Sequence, residues 1–167
     1  MATPYPLQPL LNVRHFRENG ARNALMTAEG VLRDAVQAAE DRRAELERYR
    51  AWRPGEEERR YDAIMGTSMA MQDLDRFKAG LAALAQAELQ REQAVADADR
   101  RVEECRKAVA DARAAVAKAR REVAKIAAHK DIWSEDMRRE TERLADIEME
   151  EFKAVPVATS DDDDGMA

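Results

Sequence analysis

The chain has 167 residues, a formal net charge of −6 and a pI near 5.2. Charged residues make up 37% of it and aromatic residues 5%, a composition typical of long helices or coiled coils and not of a compact globule. Net acidity argues against a general nucleic-acid partner, which needs a basic surface. No apolar run approaches the roughly 20 residues that span a bilayer, so we expect no direct membrane insertion.

The N-terminal segment, residues 1–9, carries Pro4, Pro6 and Pro9 and should be extended. Pro9 suits the first turn of a helix, where its missing N–H is not needed. We therefore predict helix one over about residues 10–66. Its apolar residues recur at one heptad position, which holds Leu11, Leu25, Leu32, Ala39 and Leu46.

Two breaks lie near the end of helix one. Pro54 disfavours helical geometry at the residue before it, so the helix should be kinked near 53–55. Gly66 can end a helix in a left-handed cap, and Ser68 or Asp73 can begin the next one. We predict the tip of a helical hairpin at about 66–72, with 53–55 as the alternative.

Helix two, over about residues 73–152, has the clearest pattern. Counting position a as every seventh residue from Leu74, five successive a positions are valine: Val95, Val102, Val109, Val116 and Val123. Position d, three residues later, holds mostly alanine and other apolar residues, including Cys105 and Trp133. A sustained heptad repeat of this kind predicts a left-handed coiled coil.

One chain with two such helices and a short joint should fold back on itself, because short connections give antiparallel neighbours. The predicted fold is all-α, a two-helix antiparallel coiled-coil hairpin over residues 10–153. Helix two is the longer, so its C-terminal end should extend past the start of helix one by a few turns. Residues 154–167 include four consecutive aspartates and are predicted to form a disordered acidic tail.

The sequence offers no catalytic constellation. His15 and His129 have no His or Cys at zinc-ligand spacing, and no glycine-rich phosphate loop occurs. Cys105 lies among small residues at a d position and is interpreted as a structural thiol. We therefore expect no enzyme activity, no catalytic residue, no metal and no cofactor.

Four of the eight aromatic residues lie near the predicted tip: Tyr49, Trp52, Tyr61 and Phe77. They either form a local core around the helix break or anchor a partner, since aromatic residues and arginine dominate binding hot spots.

At these residues the sequence resembles a known family. The segment Leu46-Glu47-Arg48-Tyr49-Arg50-Ala51-Trp52-Arg53-Pro54, the glutamates 56–58, Asp73-Leu74-Asp75 and the long Ala/Arg/Glu helix resemble the YscO (SctO) stalk proteins of type III secretion systems. Those proteins are similar to the flagellar export protein FliJ. The resemblance spans about residues 7–153. Gly55, where a charged residue is expected, and the acidic tail depart from the family pattern.

The resemblance implies a cytoplasmic stalk, peripheral to the inner-membrane apparatus, that links the hexameric export ATPase to the export gate protein and binds free secretion chaperones. The helix ends would enter the ATPase pore, through Val13, Phe16, Leu144 and Phe152. The tip would face the gate or a chaperone, through Tyr49, Arg50, Trp52, Phe77 and Leu81. Whether the chain is itself exported is left open.

Three other interpretations stay open from the sequence. A coiled-coil scaffold or tether outside secretion would share the fold and differ only in its partners. A prefoldin-like holdase would need strands between its helices, and residues 61–72 hold few β-branched residues. A DNA-binding helix dimer would need a continuous basic arm, which no segment supplies.

Overall fold

The computed structural model describes residues 4–154, and they form two helices: α1 over Gln8–Ile64 and α2 over Met71–Ala154. No strand occurs among these residues. The predicted acidic tail lies outside the described residues, apart from the backbone of Ala154. Within the described range neither helix is long and apolar enough to cross a membrane.

The joint between the helices lies at the predicted tip. Gly66 has a φ of 78°, and the Thr67 N–H donates to the Ile64 carbonyl at 3.3 Å, so a left-handed residue follows the last turn of α1. Neither predicted N-cap residue, Ser68 or Asp73, caps α2, because the helix begins at Met71 and Ala70 directly precedes it. Asp73 instead lies in the first turn, where its charge favours the positive end of the helix dipole.

The alternative joint at 53–55 is also wrong, since α1 runs through Pro54 to Ile64. Hydrogen bonds fix the side chains of Arg53 and Glu57, on either side of the proline. Arg53 Nε donates to Glu57 at 2.6 Å, and its Nη1 donates to Glu88 of α2 at 2.6 Å. These bonds join the turns before and after Pro54 to each other and to α2, which offsets the backbone hydrogen bond that proline removes.

The described residues divide into two compact units, residues 17–119 and residues 4–16 with 120–154. In the first unit the cross-helix pairs run in opposite chain directions: Glu29 meets Arg113, Arg43 meets Asp99, and Arg60 meets Gly80. The two helices are therefore antiparallel, as the repeat and the short joint predict.

The core of this unit is one narrow seam. Ala39 and Leu46 of α1 are buried, and on α2 the buried residues follow the predicted a and d positions: Leu84, Val102, Cys105, Val109 and Val116. Small side chains at the seam let two backbones approach closely but bury little area each. The stability of this unit therefore comes from many small contacts along the seam instead of one large core.

The second unit is closed by the segment before α1. Tyr5 is buried, its hydroxyl lies 2.7 Å from His129 Nδ1, and its ring centroid lies 5.4 Å from that of Trp133. Further along α1, Arg14 pairs with Glu122 at 3.3 Å. The described start of the chain is thus fixed against 122–133 of α2, and no part of α1 reaches beyond it.

Candidate partner-binding sites

The residues predicted for the tip do not form one site. The rings of Tyr49 and Trp52 contact each other, with centroids 5.4 Å apart, whereas Phe77 contacts Tyr61 at 5.2 Å. Trp52 lies twelve residues before the end of α1, which corresponds to roughly 18 Å along a helix that rises 1.5 Å per residue. Phe77, six residues into α2, is the one near the joint.

Tyr49 is held by α2 on two sides. Its hydroxyl donates to the Leu84 carbonyl at 2.9 Å, and the Arg91 guanidinium lies 4.1 Å from its ring centroid. A guanidinium stacked on an aromatic ring gains a cation–π attraction. Trp52 is instead 45% exposed, so half of its indole remains available to another molecule.

Arg50 is engaged by α2 and is not a free binding group. Its Nε donates to Glu88 at 2.9 Å, and its Nη2 donates to Glu92. Glu88 also accepts a hydrogen bond from Arg53. This bond has the largest effect on the Glu88 carboxyl and, together with the bond from Arg50, holds its pKa below its usual range. The same bonds raise the pKa values of both arginines.

Leu81, the last of the predicted tip residues, is partly buried on the seam. It follows Gly80, at which Arg60 of α1 reaches across to α2. Arg60 Nη1 donates to the Gly80 carbonyl at 3.0 Å, and a Cβ at Gly80 would lie 3.0 Å from the same atom. Glycine at this position therefore lets the arginine cross between the helices. Leu81 packs beside that crossing and is not placed with Trp52.

The predicted helix-end residues are exposed but lie in two places. The exposed fractions are 46% for Val13, 78% for Phe16, 49% for Leu144 and 88% for Phe152. Arg14 pairs with Glu122, so Val13 and Phe16 lie beside that level of α2. Leu144 follows twenty-two residues later, roughly 33 Å further along α2.

Every described residue from 134 to 153 is exposed, although three of the five heptad positions there are apolar and only Glu140 and Glu151 are charged. Met137, Leu144 and Ile147 continue the a and d positions without a covering helix. We call the stretch 134–153 the uncovered seam. It carries apolar heptad residues, as a helix interface does, but they are not buried, because α1 and the preceding segment lie against α2 only as far as Trp133.

Sequence reasoning missed the role of Glu88 and Arg91, which take the place of apolar residues at one a and one d position. That interruption of the heptad was the available signal. The structure also adds Met65 and Met71, both about three-quarters exposed beside the joint, at 75% and 74%. Among the described residues no group of three His, Cys, Asp or Glu side chains could hold a metal ion.

Comparison with known proteins gives a consistent result. The family model described as type III secretion protein YscO matches residues 7–155. The crystal structure of YscO from Vibrio parahaemolyticus is similar over 87% of this chain and 92% of that one, with a TM-score of 0.82 and 20% identity. The YscO homologue CT670 from Chlamydia trachomatis is similar over 91% and 93%, with a TM-score of 0.72 and 20% identity.

No curated protein sequence matches the chain significantly. The two structural likenesses are below 25% identity and concern the fold, while the family model covers most of the sequence. That coverage includes both helices and the joint between them. The chain therefore belongs to the YscO family of type III secretion proteins.

Proposed function

We propose that this protein is a cytoplasmic stalk at the inner-membrane secretion apparatus, which links the hexameric export ATPase to the export gate and binds free secretion chaperones. It would act by binding alone, without enzyme activity or a cofactor. Family membership supports a role in type III secretion over a scaffold outside secretion. The finer role rests on which surfaces the hairpin leaves uncovered.

The observation that carries the proposal is the uncovered seam from 134 to 153. An apolar heptad stripe left in water costs solubility without stabilising the fold, whereas packing against another protein removes it from water at about 25 cal/mol per Å². We assign this stripe, with Leu144 and Phe152, and the exposed Val13 and Phe16 to the ATPase. Since the two pairs lie at different levels of α2, they would contact different levels of the ATPase pore.

We assign the gate or a chaperone to the region of Tyr49, Trp52, Phe77 and Leu81. Trp52 is the half-exposed anchor of this region, and a partly exposed tryptophan beside arginine is typical of a binding hot spot. Arg50 would act indirectly, because its bonds to Glu88 and Glu92 fix the turn of α1 that presents Trp52.

The experiment is a binding and turnover assay with the purified export ATPase, the cytoplasmic part of the gate and one chaperone of the same system. Leu144→Ser with Phe152→Ser should abolish binding to the ATPase and any stimulation of its ATP hydrolysis. Trp52→Ala should leave ATPase binding unchanged and weaken binding to the gate or the chaperone about tenfold or more.

Circular dichroism controls for folding, and both sets of variants should retain the helicity of the unmodified chain. Arg33→Glu is a matched surface control, because this exposed residue makes no hydrogen bond or ion pair within the described residues and lies in neither assigned surface. Unchanged ATPase binding by the serine variant would contradict the assignment of the uncovered seam. Failure of the unmodified protein to bind any of the three partners would overturn the stalk role.

A further inference from the structure

We propose that the face of the hairpin around Trp52 is a docking groove for an acidic amphipathic helix of a partner protein. This inference rests on the proposed function, because it names the chemistry of the partner that would meet Trp52. The groove consists of two adjoining depressions. They are lined by Glu45, Arg48, Tyr49, Trp52 and Arg91, and by Arg42, Gln90 and Ala94 with the shared Glu45 and Arg91.

The groove has the dimensions of a helix contact. From Arg42 to Trp52 it follows ten residues of α1, roughly 15 Å or three turns. Its α1 residues recur at helical spacing and form one face of that helix, beside the 90–94 turn of α2. A third helix can lie along such a two-helix groove with its side chains between those of the pair.

The charge of the groove is positive in a chain whose net charge is −6. Three arginines line it against one carboxylate, Glu45, which lies 3.2 Å from Arg42 and 3.7 Å from Arg91. Arg48 makes no hydrogen bond or ion pair within residues 4–154. The neighbouring Arg50 and Arg53 are paired with glutamates. The excess of positive charge on this part of α1 therefore lies with the arginines that line the groove.

Acids that border the groove do not cancel this charge. Glu56, one turn after Trp52, accepts hydrogen bonds from Arg59 at 2.6 Å and Arg60 at 2.9 Å. Asp41, one turn before Glu45, accepts one from Gln37 at 3.0 Å. Glu56 is paired with cations outside the groove, whereas Asp41 keeps its charge because Gln37 is neutral. The three arginines of the groove therefore still outnumber the two carboxylates, Glu45 and Asp41.

Arg91 is already oriented for a carboxylate. Its Nη1 donates to the Ala87 carbonyl at 2.9 Å, and its guanidinium lies over the Tyr49 ring. Nη2 of Arg91 donates no hydrogen bond within the part of the chain that the structure describes. A guanidinium fixed in this way binds a carboxylate with little further loss of side-chain freedom. The partner helix would thus place carboxylates on Arg48 and Arg91 and an apolar side chain on Trp52.

The test uses the full-length chain with Trp133→Phe, which leaves Trp52 as its single tryptophan. The probe is a synthetic 15-residue amphipathic helix made of Leu, Ala and Glu. Titration should shift the Trp52 emission to shorter wavelength and saturate, and added salt should weaken the binding, since exposed charges are screened. A peptide with Lys in place of every Glu, and one with Gln in place of every Leu, should give no saturable change.

Arg48→Glu should weaken binding of the acidic probe about fivefold, because it reverses one charge at the edge of the contact. Since Arg48 makes no hydrogen bond or ion pair with any described residue, this change should leave helicity intact. Arg121→Glu, with the same change in net charge, should have no effect. Equal binding of the Lys and Glu peptides, or equal effects of the two substitutions, would overturn the inference.

Two further results separate this inference from the proposed function. If a purified gate protein or chaperone binds through Trp52 but is insensitive to Arg48→Glu, the stalk role stands and the acidic partner helix is wrong. If sedimentation of the unmodified chain shows self-association that Arg48→Glu abolishes, the groove is filled by a second copy, and the inferred partner protein is also wrong.

Discussion

Val109 and Leu144 occupy the same heptad position of α2 but differ in what covers them. Val109 is 4% exposed and faces α1, whereas Leu144 is 49% exposed and has no helix opposite it among residues 4–154. Alanine at each position therefore tests whether the covered seam, and not the heptad repeat as such, stabilises the hairpin.

The expected magnitudes follow from the atoms removed. Val109→Ala deletes two buried carbons, worth about 1.6 kcal/mol at about 0.8 kcal/mol per methylene, plus a cavity contribution. The higher helix propensity of alanine returns about 0.5 kcal/mol. We expect a net loss of about 1–2 kcal/mol. Leu144→Ala removes more atoms, but Leu144 is half exposed and no second helix covers it within residues 4–154, so the loss should stay below about 0.5 kcal/mol.

The assay is urea unfolding followed by circular dichroism at several protein concentrations. With a slope of about 1.5–2 kcal/mol per molar urea, Val109→Ala should lower the midpoint by about 0.5–1.3 M. The Leu144→Ala midpoint should stay within about 0.3 M of the unmodified protein. If Leu144→Ala destabilises as much as Val109→Ala, the 134–153 stretch is covered in solution, and the reasoning from exposure is refuted.

Three further predictions follow from single contacts. The Arg53 hydrogen bond lowers the pKa of Glu88, so its stabilising effect is present above the ordinary value of 4.5 and is lost as the pH falls through the lowered value. Melting temperatures should drop in that range, and less so in Glu88→Gln. Gly66→Ala places a Cβ at positive φ and should cost about 1 kcal/mol in urea unfolding, with Gly55→Ala, in open space at ordinary φ, as control. Tyr5→Phe removes the hydroxyl bound to His129 and should speed amide exchange at the start of α1, without effect on exchange at the joint.

The helical hairpin could be predicted because its signals are local and repeated. Valine at every seventh residue from Val95 to Val123 fixes the face of α2 that is buried, and Gly66 fixes where α1 ends. Proline was the misleading signal. Its local preference against helix at Arg53 is overridden by bonds to Glu57 and Glu88, and the second of these becomes visible only once the helices are paired.

The candidate sites were predicted less well for a geometric reason. Aromatic residues that look close in the sequence are separated along a helix by its rise, so Tyr49 and Phe77 lie at different levels of the hairpin. Which aromatic residues meet depends on the register between the helices, and the heptad pattern does not define that register. The interruption by Glu88 and Arg91 contributes to it, since these side chains bind Arg50 and Tyr49.

The stretch from 134 to 153 shows how a helix can persist where no packing holds it. Its turns are linked by ion pairs within the helix, among them Arg139 with Glu135 at 3.7 Å and Arg143 with Glu140 at 2.6 Å. The hydrogen bond from Arg143 also lowers the pKa of Glu140. Each pair adds only a few tenths of a kcal/mol, but the helix is already nucleated by the paired part of α2, so propagation needs little more. Because charged residues maintain the helix here, the apolar residues around Leu144 are not needed for packing within the fold. They stay available to a partner.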